Sequence, residues 1–437
     1  MKAIRIGTCV LVAFAVLSFG AVEPWGYATL EIGVAVLFVL WGILAVRRRQ
    51  VEIHGNWLYL PLLGLGLLGI VQYAFGFSVY PYLTELDLLK GGAYVLLCFL
   101  MAESFGSTGE AKQFIWFLII LGFAVSLFAI IQHFTFNGKI YWTVPLRAGG
   151  SPFGPYVNRD DFAGFVELVA PLGLALLFFR AVRREQFTLV LLFTLVPIGA
   201  AILSASRGGI SGLFFELLLL VFLARARQIG KKQFAGVAAL ALIAGTFIVW
   251  LGVTTAIHRF EQLTPTEISR NLRVPMYRDT WRIFARHPWV GTGLGTLIAV
   301  FPKYSGFYIP DTIVDHAHND YLELLADSGV IGGLCGLSFI VLLFWRGFEN
   351  LRSAQTRMSR AIFAGSLAAC SGLLLHSLVD FNLHIPANAL IFLLLAFVAG
   401  SRMQEPQQAR RTTREIGDAE MAKLSRAEAR GYAPIPQ

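Results

Sequence analysis

The chain has 437 residues and a formal net charge of +9, with 36 Lys and Arg against 27 Asp and Glu. Hydrophobic residues make up 56% of it and charged residues only 14%, and the apolar residues come in long unbroken blocks. This pattern excludes a soluble globular domain, and the lack of short alternating segments argues against a membrane barrel. Because apolar blocks of about 20 residues satisfy their backbone hydrogen bonds as helices, we predict an all-α polytopic membrane protein.

The apolar blocks predict about twelve transmembrane helices, and the first block leaves an alternative open. Lys2 and Arg5 precede its apolar core, so residues 1–21 also resemble a signal peptide. Removing them would leave eleven spans and keep every later loop on its side. In chain order the predicted spans are 4–22, 27–46, 57–76, 88–102, 113–133, 161–180, 187–206, 208–224, 234–256, 326–345, 361–379 and 387–401.

Basic residues concentrate in alternate connections, and this bias predicts the orientation. The segments 47–49, 180–184, 225–232 and 345–360 are rich in Lys and Arg, which favours the cytoplasmic side for them. The N-terminus is then cytoplasmic, and the outer face carries a loop at 134–160 and a large, partly helical loop at 257–325. We divide the chain into N-terminal membrane helices (1–150), a membrane core that includes the large loop (151–401) and a cytoplasmic tail (402–437).

An arginine stands between two adjacent apolar blocks, in the sequence LSASRGGISG (203–212). Arg207 would cost several kcal/mol at membrane depth unless it faced protein, water or an anion. The small residues around it let a ligand approach closely, and the planar guanidinium fork matches the oxygens of a phosphate. A simple anchor at a helix end is the alternative.

Within the large loop, the stretch 269–296 carries five arginines, with apolar residues between them. Three of them, Arg278, Arg282 and Arg286, are four residues apart, so a helix would place them on one face. Such a patch suits a diphosphate, although a solvated face or a lipid-headgroup contact explains any single member equally well. The GTGLG that follows (291–295) lacks the context of a nucleotide loop, and we predict a turn there.

The sequence DHAHNDYLELL (315–325) brings titratable groups to the start of a predicted helix. Asn319 or Asp320 is expected to cap that helix, which leaves His318 as the best candidate for a general base. Metal binding by His316 and His318 is a weaker alternative, because a HxH pair without further ligands is common, and we predict no metal or other cofactor.

Two shorter clusters complete the candidate residues. In NRDDF (158–162), Asn158 or Asp160 is a ready helix cap, and Asp161 follows it. In HSLVDFNLH (376–384), His376 and Asp380 are four residues apart at a predicted outer boundary of the membrane. A structural hydrogen bond between these two side chains and a catalytic role are equally good interpretations.

Four ordered motifs resemble the O-antigen ligase and O-antigen polymerase family. His318 and Asn319 followed by Gly329 and Gly332 match its signature spacing, and SASRGG, YRDTWRIFARHPWVGTGLG and HSLVDFNLHIPAN stand in the expected order. The resemblance covers about residues 150–400. It departs at Asp161, where relatives often carry a histidine.

The resemblance implies a membrane-embedded, metal-independent, inverting glycosyltransferase with a GT-C-like helix bundle. It would lie in the bacterial inner membrane and transfer a glycan from undecaprenyl diphosphate to an acceptor hydroxyl on the periplasmic face. Lipid A core is the first expectation for the acceptor, and a growing polysaccharide or a protein is the alternative; no nucleic acid is involved. By the same analogy Arg207 and Arg278 bind the diphosphate and His318 activates the acceptor, with support from Arg282, Asn319, Asp320, Asp161, His376 and Asp380.

A polysaccharide or lipid transporter is the main rival from another class. Many transporters have about twelve spans with both termini inside, and they hold their polar site near the membrane midplane. Here the charged candidates gather at one face, which favours the transferase.

Overall fold

The computed structural model describes residues 1–48, 55–145, 151–225, 273–306 and 314–404. Two short strands, β1 (Lys139–Ile140) and β2 (Val144–Pro145), pair antiparallel, and one-turn 3-10 helices lie at Phe19–Ala21 and Asn382–His384. The remaining regular elements of these ranges are α1 (Lys2–Leu17), α2 (Pro24–Arg48), α3 (Tyr59–Ala74), α4 (Pro81–Ser104), α5 (Thr108–Phe134), α6 (Arg159–Phe178), α7 (Arg184–Ser204), α8 (Arg207–Arg225), α9 (Arg273–Arg286), α10 (Leu297–Tyr304), α11 (Asp320–Ser353), α12 (Arg357–His376) and α13 (Pro386–Gly400).

Seven of the described helices are long and apolar enough to cross a membrane: α2, α5, α6, α7, α8, α11 and α12. Each coincides with a predicted span. The helices α3 and α13 are apolar but shorter, and α1 and α4 also lie where spans are predicted. The predicted span 234–256 lies outside the described residues. The chain is thus an all-α polytopic membrane protein, while the count of twelve spans stays a prediction.

The centre of the bundle is formed by α6 and α12, which are almost fully buried along their lengths, with α13 beside them. Small residues allow this close packing. A Cβ on Gly173 of α6 would lie 2.1 Å from Oγ1 of Thr194 on α7, and one on Gly365 of α12 would contact Leu172 of α6. Contacts of this kind hold helices together in lipid, where the hydrophobic effect between helices is weak. The residues that α6 and α12 carry at their ends are therefore held rigidly.

The helix α11 is longer than the predicted span 326–345 and is interrupted near its start. Gly329 breaks it with φ 62° and ψ −164°, a conformation open to glycine, and a Cβ there would lie 2.3 Å from the carbonyl oxygen of Trp289. The amide of Val330 donates to the carbonyl of Pro288 at 2.7 Å. The loop after α9 therefore inserts at this break, which explains one glycine of the signature spacing.

The GTGLG segment forms a turn, as predicted. Gly291, Gly293 and Gly295 all have positive φ, and the amide of Gly295 donates to Oδ2 of Asp327 at 2.9 Å. The turn thus joins the α9–α10 connection to α11. In the segment predicted as a large outer loop (257–325), α9 and α10 are helical, while residues 257–272 and 307–313 lie outside the described ranges.

Candidate active site

His318 lies in the segment that leads into α11, and hydrogen bonds between side chains and the backbone hold this segment in place. Asn319 caps the helix, because its side-chain oxygen accepts from the amide of Leu322 at 3.0 Å while its amide group donates to the carbonyl of Leu378 at 2.9 Å. This confirms that the cap falls on Asn319 or Asp320 and assigns it to Asn319. The His318 carbonyl accepts from the hydroxyl of Tyr277 on α9 at 2.8 Å. His318 itself has φ 50°, so the chain turns sharply at this residue.

Asp380 is the centre of the network around His318. It is 2% exposed, and its Oδ1 lies 3.1 Å from Nδ1 of His318 and accepts from the amide of Phe381 at 3.0 Å. Its Oδ2 lies 3.7 Å from Nη2 of Arg273 and 3.9 Å from Nε2 of His376. The predicted proximity of His376 and Asp380 is therefore present, although Asp380 lies in the turn after α12. One buried carboxylate thus contacts two histidines and an arginine.

His376 continues this network into the bundle. Its Nδ1 lies 2.8 Å from Oε2 of Glu167, a fully buried residue of α6. A second acid, Glu216 of α8, is also fully buried and packs on Gly372, one turn before His376. In the described part of the chain, neither oxygen of Glu216 has a hydrogen-bond partner. Acidic residues inside a membrane bundle are costly, so such a line of polar groups indicates a functional site.

Arg207 is the first residue of α8 and is half-buried. The next residue, Gly208, packs on the imidazole of His376, since a Cβ there would lie 2.3 Å from Nε2. The start of α8 therefore lies against the His376 end of the network. The absence of a side chain at Gly208 thus permits close packing of α8 on His376, while the approach of a ligand to Arg207 stays a prediction.

The arginines of α9 differ in their surroundings. Arg273 reaches Asp380, whereas Arg278 is exposed and Arg282 pairs with Asp279 at 2.7 Å. The buried carboxylate of Asp279 also accepts from the amide of Gly306 at 2.8 Å, so Arg282 takes part in an intramolecular contact of this segment. The guanidinium of Arg286 lies over the ring of Tyr304 at 5.1 Å. The arginine of this series that contacts the His318 network is therefore Arg273.

A second cluster forms around His316, two residues before His318. Nδ1 of His316 lies 2.8 Å from Oε1 of Glu323, and Nε2 of His384 lies 3.3 Å from the same oxygen. Asp320 belongs to this cluster, because its Oδ1 lies 2.7 Å from Nδ1 of His384 and its Oδ2 accepts from the amide of Leu383 at 3.0 Å. The ring of Phe381 stacks on His316 at 4.6 Å and meets His318 edge-on at 4.8 Å. The two histidines of the HxH pair thus face different carboxylates.

The charges of the two clusters follow from their neighbours. Burial raises the pKa of Asp380, but the hydrogen bond from His318 and the positive charges of His376, His318 and Arg273 outweigh it, so this pKa lies below its usual value. Burial lowers the pKa of His384, but the charge of Glu323 and the hydrogen bond and charge of Asp320 outweigh it and raise this pKa to about 10. Asp380 is therefore anionic near neutral pH, and in the absence of a competing cation His384 is protonated.

An ionised Asp380 decides what His318 can do chemically. An ionised carboxylate accepts a hydrogen bond from Nδ1–H, so a neutral imidazole in this contact carries its lone pair on Nε2. The same arrangement of carboxylate and histidine orients the general base in acyl-transfer enzymes. The contact between Asp380 and His318 shares this geometry.

A cavity of 1670 Å³ opens beside these clusters, lined by α3, α4, α11, α13 and the segments that join them. Much of its wall is apolar, and His316, His384 and Phe381 are among the residues that line it. Carboxylates also line it, namely those of Glu23, Asp87, Asp161, Asp315, Asp320, Glu323 and Asp327. This cavity therefore combines an apolar wall with acceptors for hydroxyl groups.

Asp161 lies in the wall of this cavity at the start of α6. Asn158 caps the helix, as expected, by accepting from the amide of Asp160 at 3.1 Å. Asp161 is 5% exposed, and in the described ranges its Oδ1 has no hydrogen-bond partner. A buried acceptor without a partner is costly, which makes Asp161 available to a ligand hydroxyl in the cavity.

Sequence reasoning passed over four residues of these clusters: Tyr277, Glu167, Glu323 and His384. Glu167 could have been found, because an acid inside a predicted span is a signal of function. His384 and Glu323 gave no such signal, because they are 61 residues apart and meet through the packing of the turn before α13 on α11.

The comparison with protein families agrees with the motifs. The family model described as O-antigen ligase matches residues 189–337, a range that includes Arg207, Arg278 and His318. No curated protein matches the chain. The resemblance expected from the sequence is thus confirmed, and it indicates a glycosyltransferase of the O-antigen ligase or polymerase type acting on lipid-linked glycans at a membrane.

Proposed function

Because the chain matches the O-antigen ligase family over residues 189–337, we propose that it moves a glycan from undecaprenyl diphosphate to an acceptor hydroxyl on the periplasmic face of the bacterial inner membrane. The observation that carries the proposal is the contact between the buried carboxylate of Asp380 and Nδ1 of His318, at 3.1 Å. This pair supplies an oriented base, which the deprotonation of an acceptor hydroxyl requires. Lipid A core is the acceptor that we favour, as in O-antigen ligases.

His318 acts as the general base in this proposal. It accepts the proton of the acceptor hydroxyl at Nε2 while Asp380 holds the ring through Nδ1 and stabilises the imidazolium that forms. The attacking oxygen forms its bond to the anomeric carbon as the bond to the diphosphate breaks. A single displacement of this kind inverts the anomeric centre.

The diphosphate leaves with its negative charge stabilised by arginines. Arg207, at the start of α8, and Arg278, on α9, are the proposed ligands of this group, and Arg273 joins them because it already lies at Asp380. Fixed guanidinium groups stabilise the charge that develops in the transition state. The chemistry therefore needs no metal at the diphosphate.

The cavity is the proposed binding site for the acceptor. Its carboxylates can accept hydrogen bonds from sugar hydroxyls, and its apolar wall suits a lipid chain of the acceptor or donor. Phe381 lines the cavity and contacts His318, which places the cavity next to the proposed base. Asp161 in the cavity wall would bind a hydroxyl in this arrangement.

The test is a transfer reaction with purified protein in proteoliposomes and an undecaprenyl-diphosphate-linked glycan. Lipid A core and a second lipid-linked repeat unit are offered as separate acceptors. Product on lipid A core supports ligase activity, and a longer lipid-linked glycan identifies a polymerase. No product with either acceptor, together with glycan movement across the bilayer, would favour a transporter instead.

Two further measurements address the mechanism. The anomeric configuration of the product, read by NMR and compared with the donor, should be inverted. Transfer in the presence of EDTA at saturating donor should continue, because the leaving group is stabilised by arginines. Retention of configuration would contradict the single displacement.

A further inference from the structure

His316, Glu323 and His384 bring three metal-binding atoms to one point. A nitrogen of each histidine and a carboxylate oxygen of Glu323 all lie within 4.8 Å of one another. The contacts to Oε1 of Glu323 are 2.8 Å from Nδ1 of His316 and 3.3 Å from Nε2 of His384. A tetrahedral zinc ion with bonds of about 2.0–2.1 Å holds its ligand atoms about 3.3 Å apart. The two contacts to Glu323 are close to that value, and the histidine nitrogens, at most 4.8 Å apart, would have to approach each other to reach it.

The surroundings of the cluster orient each of the three groups. Asp320 lies 2.7 Å from Nδ1 of His384, an arrangement that leaves Nε2 free to bind an ion. The amide of Ala317 donates to Oε2 of Glu323 at 2.7 Å, which leaves Oε1 for the shared contact. Phe381 stacks on His316 and limits the rotation of its ring. Metal sites in proteins carry supporting contacts of this kind.

We propose that His316, Glu323 and His384 form a site for one divalent transition-metal cation of the zinc type. Two histidines and a carboxylate are a common zinc ligand set, and all three residues line the cavity, so a fourth position is open to water or a ligand oxygen. Bound metal would tie the segment before α11 to the turn before α13. Because His318 is two residues from His316, the ion holds the segment that carries the proposed base, without contacting the diphosphate.

The competing explanation for the cluster is an ion pair. His384 could donate from both ring nitrogens, to Asp320 and to Glu323, and His316 could donate to the same Glu323 oxygen. In that network, protons lie between the ring nitrogens and the carboxylate oxygens. In the proposed site, a metal ion takes their place between the two histidines and Glu323. The two explanations differ in a direct measurement, which is whether the folded protein binds zinc through these three side chains.

Zinc binding to the full-length protein in detergent or nanodiscs tests the site, with ZnCl2 as the probe after treatment with EDTA. We expect about one zinc ion per chain, measured by equilibrium dialysis and elemental analysis. Glu323→Gln and His384→Gln should each weaken binding at least tenfold, and Asp320→Asn, which removes a supporting contact, by about 10- to 100-fold. His133→Gln is the matched control, because it removes an exposed histidine elsewhere and should bind as wild type does.

A second measurement guards against variants that fail to fold. Thermal unfolding of wild type should shift to higher temperature with zinc and should not shift for His316→Gln, a change at a half-buried position. Equal zinc binding by wild type and all three ligand variants would overturn the proposal, as would a folded wild type that binds none. The transfer reaction without a chelator measures the proposed function separately from zinc binding, so either proposal can fail alone.

Discussion

His316 and His318 stand two residues apart, yet they end in two different networks. His318 contacts Asp380, which lies beside Arg273 and His376, whereas His316 contacts Glu323 near His384 and Asp320. The ring of Phe381 lies between them, stacked on one and edge-on to the other. Two histidines that are only two residues apart can therefore contact different carboxylates when an aromatic ring lies between them and the chain turns at one of them.

The two networks also differ in what they adjoin. The His318 network continues through His376 to Glu167 inside the bundle, while the His316 network lines the cavity. We therefore expect substitutions in the first to affect the chemical step and substitutions in the second to affect metal binding and the stability of the segment. Substitutions at His318, Asp380, Arg207 and Asn319 test this division.

Replacing His318 should have the largest effect. His318→Ala removes the proposed base and should lower turnover by about 10²- to 10⁴-fold, with donor binding nearly unchanged. His316→Ala is the matched variant, and we expect it to lower turnover by less than about tenfold because His316 does not contact Asp380. Single-turnover transfer rates and binding of the lipid-linked donor measure both. Equal losses of turnover in the two variants would show that the two networks do not have separate roles.

Asp380→Asn should have the next largest effect on turnover. An amide is a weaker partner for Nδ1–H and can favour the wrong tautomer, so we expect a loss of up to about 10⁴-fold, no larger than that of His318→Ala. The double variant with His318→Ala should be no slower than His318→Ala alone, because the two residues act as one unit. Additive losses in this cycle would show that Asp380 acts independently of His318.

Arg207→Lys should weaken recognition of the donor. A lysine offers a point charge where the guanidinium offers two parallel hydrogen bonds, and the expected loss of donor affinity is about 10- to 100-fold. Arg282→Lys is the matched control, because Arg282 is exposed and pairs with Asp279. Donor binding by both proteins, measured with the folded state checked by thermal unfolding, separates the two arginines. Normal donor affinity in Arg207→Lys would remove Arg207 from the diphosphate site.

Asn319→Ala should have the smallest effect, and this effect should be on stability rather than on turnover. Loss of this cap costs about 1 kcal/mol in the free energy of unfolding, since the amide of Leu322 loses its acceptor. Asn319→Asp keeps a capping oxygen and should recover most of the loss. Unfolding midpoints of the two variants, measured side by side, check this. A loss of turnover as deep as that of His318→Ala without a change in stability would assign Asn319 a chemical role.

Several features of the candidate site could be predicted from local patterns in the sequence. A cap was expected at Asn319 or Asp320 and at Asn158 or Asp160, because a side-chain oxygen satisfies an amide two or three residues on, which is a local interaction; the caps are Asn319 and Asn158. The turn at 291–295 could likewise be predicted, because glycines at alternate positions permit positive φ. The long-range contacts of the site residues could not be predicted. Arg273 rather than Arg278 contacts Asp380, and spacing on α9 alone does not distinguish between the two.

The amino-acid sequence alone predicts an all-α membrane protein whose motifs resemble those of the O-antigen ligase and polymerase family. This follows because long apolar blocks have no other way to satisfy their backbone in lipid, and because the motifs are contiguous. Only the tertiary structure decided which carboxylate each histidine meets. Glu167 and His376 are 209 residues apart, and Asp380 and His318 are 62 apart, so their contacts depend on how α6, α11 and α12 pack. Packing of that kind is fixed by side-chain shape along whole helices, which no short stretch of sequence contains.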